Sequence, residues 1–232
     1  MASAELALIV GVGQGLSASL ARLFARQGMR VALAARDVDK LRALAGEIGA
    51  TVYACDASRS KDVDVLFQRL TAKLGVPDVV VYNASRRARG PVAELDPAEV
   101  EKAIAVTGFG GFLVAQAAAK LMLTRGSGSI LLTGASASVK GYAQSAPFAM
   151  GKFALRGLAQ SMARELAPKG IHVAHFVIDG GIRQLEDSRS ASRGPDGMLD
   201  PDAIAANYLH VHRQHRSAWT WEVELRPWVE PF

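Results

Sequence analysis

Short apolar runs alternate along this chain with longer segments in which apolar positions recur at helical spacing. The runs are rich in Val, Ile, Leu and Ala, and they predict strands at 6–10, 30–35, 51–55, 78–82, 129–133 and 172–178. The longer segments predict helices at 15–27, 37–48, 60–74, 97–125 and 147–168. Strands this continuously apolar are buried on both faces, and their alternation with helices is typical of right-handed parallel crossovers. The pattern therefore predicts a doubly wound parallel sheet flanked by helices, of the α/β class.

The alternation stops after the sixth predicted strand, where residues 183–199 form a polar, turn-rich segment. Two interpretations are open, a substrate loop or lid and a plain excursion over the surface. Asp200 and Pro201 then have the residue types of a helix cap and a first helical position, and the alternation at 218–228 predicts a last strand. No repeat or domain boundary interrupts the chain, so we expect one domain over 1–232.

The composition agrees with a single globular unit. Half of the 232 residues are hydrophobic and 21% are charged, which is enough to build one sizeable core. Cys55 is the one cysteine, so an internal disulfide is excluded and a small core residue is expected. The first residues lack the basic region of a signal peptide, and no run of about 18 apolar residues is free of Gly or charge. We expect a cytoplasmic protein with neither a membrane nor a nucleic-acid partner.

The net charge of +5 comes from basic residues that are scattered along the chain. Their densest group is Arg86, Arg87 and Arg89, in the loop after the fourth predicted strand. Such a triplet is either a solvated loop or a contact for an anionic ligand or phosphate.

A glycine-rich turn follows the first predicted strand and leads into the first helix. Gly11, Gly13 and Gly15 allow a tight turn, and with Gln14 and Leu16 they bring backbone N–H groups to the helix N-terminus. There the helix dipole favours the negative charge of a pyrophosphate. The position of this turn in the first βαβ unit predicts a dinucleotide site.

The end of the second predicted strand bears on the choice of cofactor. Folds that select a free ribose 2′-hydroxyl usually have an acidic residue there, whereas this chain has Ala35 followed by Arg36. A guanidinium in that place favours a 2′-phosphate, and therefore NADP(H) over NAD(H). Asp37 follows directly; it could take the acidic role or simply start the next helix.

These motifs, in this order, resemble the short-chain dehydrogenase/reductase family over essentially the whole chain. The glycine pattern of that family is similar to VGVGQGLS, with Val10 in place of Thr and Ser17 in place of the last Gly. Further motifs of the family are similar to CDAS, YNAS and DGGI, which contribute Asp56, Ala57, Asn83, Ala84, Gly180 and Ile182. The resemblance implies a Rossmann-type fold in which these residues contact the dinucleotide.

The resemblance also implies a catalytic Asn, Ser, Tyr and Lys. Lys152 matches the lysine, but the tyrosine falls on Phe148, the serine on Ala135 and the asparagine on Thr107. Ser136 and Ser138 are near enough to Ala135 for a small shift to restore a hydroxyl.

Phe148 offers neither an acid nor a base, so the family's usual proton transfer is unavailable. Lys152 could then serve the ribose hydroxyls of the cofactor alone, or be an exposed helix lysine without a role. Tyr142 is the first alternative proton donor, followed by Ser136, because a phenol near a cation is tuned toward neutral pH. Tyr142 could equally be a loop aromatic that packs on the surface.

Two classes of function are consistent with these residues. One is an NADP(H)-dependent oxidoreductase that transfers a hydride to or from a carbonyl or alcohol and has a weakened or non-standard catalytic site. The other is a catalytically silent dinucleotide-binding sensor or assembly protein. The substrate is an unidentified small molecule, and the family resemblance with apolar helices implies a homodimer or homotetramer. His210, His212 and His215 on a predicted late helix face different directions, so we expect no metal site.

Overall fold

A computed structural model describes residues 4–184, 193–194 and 196–230 of the chain. Within these residues, seven strands form one sheet in the order β3-β2-β1-β4-β5-β6-β7. The strands are Leu6–Val10 (β1), Arg30–Ala35 (β2), Thr51–Ala54 (β3), Val79–Tyr82 (β4), Gly128–Thr133 (β5), Ile171–Ile178 (β6) and Glu222–Leu225 (β7). All neighbouring strands are parallel. The α/β class and the doubly wound sheet predicted from the apolar runs are confirmed.

Helices connect the strands and cover both faces of the sheet. They are Leu16–Arg26 (α1), Arg42–Ile48 (α2), Ser60–Leu74 (α3), Pro97–Ile104 (α4), Gly110–Arg125 (α5), Ala146–Leu166 (α6) and Pro201–His212 (α7). The carboxylate of Asp200 caps α7 by accepting from the backbone N–H of Asp202 at 2.7 Å. The predicted cap is therefore confirmed, but α7 ends at His212, so the expectation that His215 lies on that helix is wrong.

Adjacent residues of each strand point to opposite faces, and this divides the core into two layers. Leu8 and Val80 pack with α3, α5 and α6 on one face, while Ile9 and Val81 pack with α1 and α7 on the other. Each fully buried Val, Leu or Ile contributes roughly 1.5–3 kcal/mol. Cys55 lies in the first layer, as expected for a small core residue.

The predicted helix 97–125 is interrupted by a π-helical turn at Ala105–Phe109. The Val106 carbonyl in this turn accepts a hydrogen bond from the Tyr82 hydroxyl, and Thr107 Oγ1 accepts from the backbone N–H of Arg86 at 3.1 Å. Both partners follow or end β4, so contacts with the sheet explain why the helix deviates there. An apolar periodicity cannot reveal such a turn.

The stretch Pro97–Arg125, 29 residues long, is apolar enough to span a membrane by length and composition alone. Its α5 part contributes Val114, Ala118 and Met122 to the first core layer. A core helix of a globular domain has the same length and composition, so this stretch gives little support for a membrane span.

A buried histidine links β6 to β7. The side chain of His175 is fully buried, and its Nδ1 lies 3.1 Å from Glu222 Oε2, which also accepts from Arg156 Nε at 2.6 Å. Burial lowers the pKa of His175 to about 4, although the Glu222 carboxylate opposes this shift. The neutral ring with a proton on Nδ1 fits these contacts.

We expect the free energy of unfolding to fall as the pH decreases from about 6.5 to about 4. In this window the unfolded His175 takes up a proton that the folded side chain, with its pKa of about 4, does not accept. Denaturant titrations at several pH values should therefore give a smaller slope against pH for His175→Gln than for the parent protein. The same change at the exposed His210 is the control, and equal slopes for the parent protein and His175→Gln would contradict the assignment.

Candidate functional site

A cavity of about 700 Å³ lies at the carboxyl ends of β1, β4, β5 and β6. The order of the strands reverses between β1 and β4, which is where doubly wound sheets bind their ligands. The lining comes from the loops after β1 and β4, the end of β5, the start of α6 and the segment after β6.

The glycine turn forms one part of this cavity. Gly11 has a φ of 87°, and a Cβ built there would lie 2.3 Å from the backbone nitrogen of Ala84, so no larger residue fits. A Cβ built at Gly13 would meet no atom within 4 Å, so the backbone at Gly13 faces open space. α1 then begins at Leu16 without an acidic residue in its first turn and without a side-chain cap. The turn can therefore accept an anion at the helix N-terminus.

Ser17 connects the glycine turn to the loop after β4. Asn83 Nδ2 donates to Ser17 Oγ at 2.7 Å, and Ser17 Oγ donates to the Gly11 carbonyl at 3.1 Å. Asn83 thus supports the turn through the hydroxyl of Ser17, which stands where the family pattern has its last glycine, and Ala84 packs on Gly11.

Three predicted cofactor residues lie outside the cavity, beyond the ends of β2 and β3. Asp56 Oδ1 accepts from the backbone N–H of Ser58 at 3.0 Å and from its hydroxyl at 2.7 Å. Burial raises the pKa of Asp56, but these bonds and the charges of Arg36 and Arg59 outweigh it, so the pKa lies below its usual value. Arg36 is exposed, and Ala57 is buried next to Asp56.

Lys152 is buried in the wall of the cavity, with 3% of its surface exposed, so the interpretation as an exposed helix lysine is wrong. Its Nζ donates to the Thr133 carbonyl at the end of β5 at 2.6 Å. Burial, and to a smaller degree the charge of Arg87, lowers the pKa of Lys152 to about 7. The Lys152 amine is therefore about half protonated at neutral pH.

Phe148 lies one helical turn before Lys152, and its ring centroid is 5.7 Å from Lys152 Nζ. The ring lines the cavity and is 6% exposed. The same ring also contacts Arg87, whose guanidinium carbon lies 4.2 Å from the centroid. Two positive groups therefore surround a ring that has no proton to exchange.

The hydroxyl candidates near this ring differ in their accessibility. Ser136 and Tyr142 line the cavity, and Tyr142 is 47% exposed. Ser138 is fully buried and its Oγ accepts from the Ala135 N–H at 3.1 Å, so it is not directed to a ligand. Thr107 is buried against Gly151 and the Arg86 backbone and does not line the cavity.

The structure brings most of the sequence-derived site residues together. The members that line the cavity are Gly11, Gly13, Gln14, Gly15, Leu16, Asn83, Ser136, Tyr142, Phe148, Lys152, Gly180 and Ile182. The members outside its lining are Arg36, Asp56, Ala57 and Ala84, of which Ala84 packs on Gly11.

The arginine triplet is divided between two environments. Arg86 forms an ion pair with Glu99 on α4, whereas Arg87 and Arg89 line the cavity. Arg87 and Arg89 are exposed and also border the cavity, so their positions agree with a solvated loop as well as with a contact for an anionic ligand. The sequence showed that three arginines lie close together in one loop. It could not show which of them border the cavity.

An open parallel sheet with a glycine turn at the place where the strand order reverses is typical of the dinucleotide-binding α/β proteins. The family model for the short chain dehydrogenases matches residues 5–183, and the chain belongs to this family of oxidoreductases.

Individual relatives agree with this membership. D-threitol dehydrogenase of Mycolicibacterium smegmatis is 27% identical over an alignment of 218 positions, which covers 87% of this chain and 83% of that protein. The structure of a short-chain dehydrogenase from Rhodopseudomonas palustris is 33% identical with a TM-score of 0.84, covering 97% of this chain and 99% of that one. A metagenomic short-chain oxidoreductase in complex with NADP is 30% identical with a TM-score of 0.84, covering 96% and 97%.

Proposed function

We propose that this protein binds NADP(H) and transfers a hydride between the nicotinamide and a carbonyl or alcohol substrate, with a weakened or non-standard proton transfer. The observation that carries the proposal is the cavity itself, which combines the glycine turn with Lys152 and Phe148. Family membership and the NADP complex of a 30% identical relative support the cofactor class. In this proposal Phe148 occupies the position of the family's catalytic tyrosine.

The residues present fit an anionic dinucleotide. The backbone at Gly13 is open to an approaching phosphate, and the first turn of α1 holds no carboxylate that would repel it. The described lining of the cavity includes three basic side chains and neither Asp nor Glu. These features favour a ligand that carries several negative charges.

When bound, NADPH supplies the hydride. Lys152 Nζ, held at the Thr133 carbonyl, is placed to bind ribose hydroxyls, and the Phe148 ring excludes water from the same wall. The Ser136 hydroxyl can donate a hydrogen bond to a substrate oxygen. Tyr142 is the first candidate to deliver a proton from solvent, because this residue lines the cavity and is 47% exposed.

The proposal is tested by titration of NADPH and NADH, monitored by cofactor fluorescence, followed by turnover measurements on a panel of carbonyl compounds. We expect tighter binding of NADPH and slow turnover. A protein that binds neither cofactor would overturn the proposal.

A second candidate is the silent dinucleotide-binding sensor or assembly protein. It is favoured because the residues at the family's tyrosine and serine positions have no hydroxyl group. Phe148 has no ionisable group, Ala135 has no hydroxyl, and Lys152 already donates to a backbone carbonyl. Under this alternative NADPH binds but is not oxidised in single-turnover mixtures with any member of the panel.

Replacing Lys152 by Ala is expected to lower the affinity for dinucleotides severalfold, because the ribose loses a buried hydrogen-bond donor. Fluorescence titration of the folded variant measures this loss. The control is Lys102→Ala, which removes an exposed lysine on α4 that pairs with Glu99. Unchanged affinity in Lys152→Ala would refute the role as a cofactor ligand.

We also propose that the chain is one cytoplasmic domain that forms a homodimer or homotetramer. Phe109 in the π-helical turn and Phe112 and Leu123 on α5 expose apolar surface, and Met150 and Phe153 do so on α6. Sedimentation of the purified protein tests the assembly, and cell fractionation tests the location. The proposed substrate loop 183–199 falls partly outside the described residues, at 185–192 and 195.

A further inference from the structure

Lys152 is held by a backbone carbonyl and not by an acidic side chain. Its Nζ donates to the Thr133 carbonyl at 2.6 Å, and none of the described residues that line the cavity is Asp or Glu. A backbone carbonyl cannot turn toward the lysine by itself, because it is part of a planar peptide unit. The position of the amino group of Lys152 therefore depends on what fixes the peptide between Thr133 and Gly134.

Thr133 is fixed from the face of the sheet that α7 covers. The Tyr208 hydroxyl on α7 donates to Thr133 Oγ1 at 2.9 Å, and both side chains are buried. The Tyr208 ring stacks on Phe176 of β6, with 3.6 Å between the ring centroids and 10° between the ring planes. Because the ring is packed in this way, its hydroxyl is a donor with a fixed position.

Gly134 is fixed from the opposite face, which α6 covers. Side chains alternate along β6, and Val173 belongs to the core layer of α6, so His175 also points to this face. A Cβ built at Gly134 would lie 2.3 Å from His175 Nε2 and 2.7 Å from the Phe176 carbonyl oxygen, so the imidazole ring packs directly on the glycine. The Gly134 N–H donates to the same carbonyl at 2.7 Å, and Glu222 holds the ring at Nδ1. The peptide cannot move toward this face without displacing the ring.

The charged and titratable groups near Lys152 come from several elements. Burial and then the charge of Arg87, in the loop after β4, lower the pKa of Lys152. Burial and, as a smaller effect, the charge of Lys152 lower the pKa of His175 on β6. Glu222 of β7 lies next to His175 and forms an ion pair with Arg156 of α6.

Tyr208 adds no charge to this set. Burial raises the pKa of its phenol well above the usual value, and the hydrogen bond to Thr133 offsets this only in part. The phenol is therefore neutral over the pH range in which Lys152 titrates. Removal of the Tyr208 hydroxyl leaves every charge around Lys152 in place, so a change in the titration of Lys152 would report a change in its hydrogen bond.

We propose that Tyr208 and His175 are positioning residues for Lys152, because they hold the Thr133–Gly134 peptide from opposite faces of the sheet and this peptide holds the lysine. The inference rests on the proposed function, in which Lys152 binds the ribose of the cofactor. Tyr208 and His175 are not among the described residues that line the cavity, so both act through Lys152. Loss of either support lets the carbonyl move away, and the protonated lysine is then disfavoured because it loses its acceptor.

The test measures the pH at which Lys152 loses its proton, in purified protein before any cofactor is added. Carbon-13 NMR of protein labelled at lysine Cε follows the titration, and the resonance of Lys152 is the one that is missing in Lys152→Ala. We expect a midpoint at about 7 for the parent protein. Titrations with NADPH over the same pH range should show an affinity that falls as the pH rises through this midpoint, since a neutral amine attracts an anionic ligand less strongly.

Two variants remove the hydrogen bond from either end. Tyr208→Phe keeps the ring without the hydroxyl, and Thr133→Val keeps the branched side chain without the acceptor. Each should lower the midpoint of the Lys152 titration by about half a pH unit or more, which is about a threefold change in the protonation equilibrium. The double variant should shift the midpoint no further than the larger single shift, because both changes break the same bond. Thr133→Ser keeps the acceptor and should have a midpoint close to that of the parent protein.

Tyr53→Phe is the matched control for Tyr208→Phe. Tyr53 is buried in the first core layer, and its hydroxyl has no hydrogen-bond partner among the described residues, so its removal should leave the midpoint unchanged. His175→Gln should lower the midpoint, although the ring that it removes is neutral at pH 7. His172→Gln replaces another buried histidine at the far end of β6 and is the control for this change.

An unchanged midpoint in folded Tyr208→Phe, or an equal shift in Tyr53→Phe, would overturn the inference. The comparison of Thr133→Val with Thr133→Ser tests the same bond if Tyr208→Phe does not fold. An unchanged midpoint in His175→Gln, or an equal shift in His172→Gln, would overturn the part assigned to His175. The NMR titration needs no cofactor, so these results are independent of the proposed function, which fails separately if NADPH binds at no pH.

Discussion

Phe148→Tyr is expected to create or raise the turnover of simple carbonyls with NADPH, by about 10²- to 10⁴-fold, the usual contribution of a positioned acid or base. The change adds one oxygen to a ring of the same shape that lines the cavity. Lys152 Nζ at 5.7 Å and the Arg87 guanidinium carbon at 4.2 Å from the ring centroid favour the ionised form of a phenol. The new hydroxyl can therefore exchange a proton closer to neutral pH than a free tyrosine does.

Addition of Ala135→Ser should raise the turnover further, because a hydroxyl at the end of β5 can hold the substrate oxygen. Initial rates across a pH series measure both effects, and the variants should show a tyrosine-like limb that the parent protein lacks. Phe153→Tyr is the matched control, since it makes the same change at a phenylalanine of α6 that is 45% exposed and does not line the cavity.

A parent protein that already reduces a carbonyl rapidly, and that Phe148→Tyr slows, would show that the site is not silent. The proton would then come from another group. Tyr142 would be the first residue to replace, because it is the tyrosine among the described residues that line the cavity and it is partly exposed.

Arg36→Ala is expected to weaken NADPH binding by roughly 1–3 kcal/mol, the contribution of a charged hydrogen bond, and to leave NADH nearly unchanged. Arg36 follows β2 directly and is exposed, and its charge acts on the Asp56 carboxylate beyond β3. This places a positive group at the side of the sheet where the family resemblance puts the adenosine ribose. The 2′-phosphate is the one group that distinguishes the two cofactors.

Fluorescence titration of both cofactors against the parent protein and the variant measures this preference. Arg42→Ala removes an exposed positive charge from the neighbouring helix α2 and serves as the control. Equal losses for NADPH and NADH, or tighter binding of NADH by the parent protein, would contradict a preference for NADP(H).

The elements and their arrangement could be predicted from the order of residues alone. Apolar runs of five to seven residues alternating with helices predicted a parallel sheet, because a strand that is apolar at every position has to be covered on both faces. Gly11 was recognisable for a similar reason, since a turn that leads from a strand into a helix against a neighbouring loop leaves no space for a side chain. Both predictions depend on residues that are close in the sequence or on a pattern that recurs with a fixed period.

The contacts that give the site its character were decided by the tertiary structure. Three of these contacts join residues that are 47 to 66 positions apart in the chain. They are the contact of Arg87 with the Phe148 ring, the hydrogen bond from Asn83 to Ser17 and the contact of His175 with Glu222. Burial of Lys152 against the Thr133 carbonyl likewise depends on how α6 packs on β5. A local pattern specifies which residues face the core, but the partner of each side chain depends on the packing of elements that are distant in the chain.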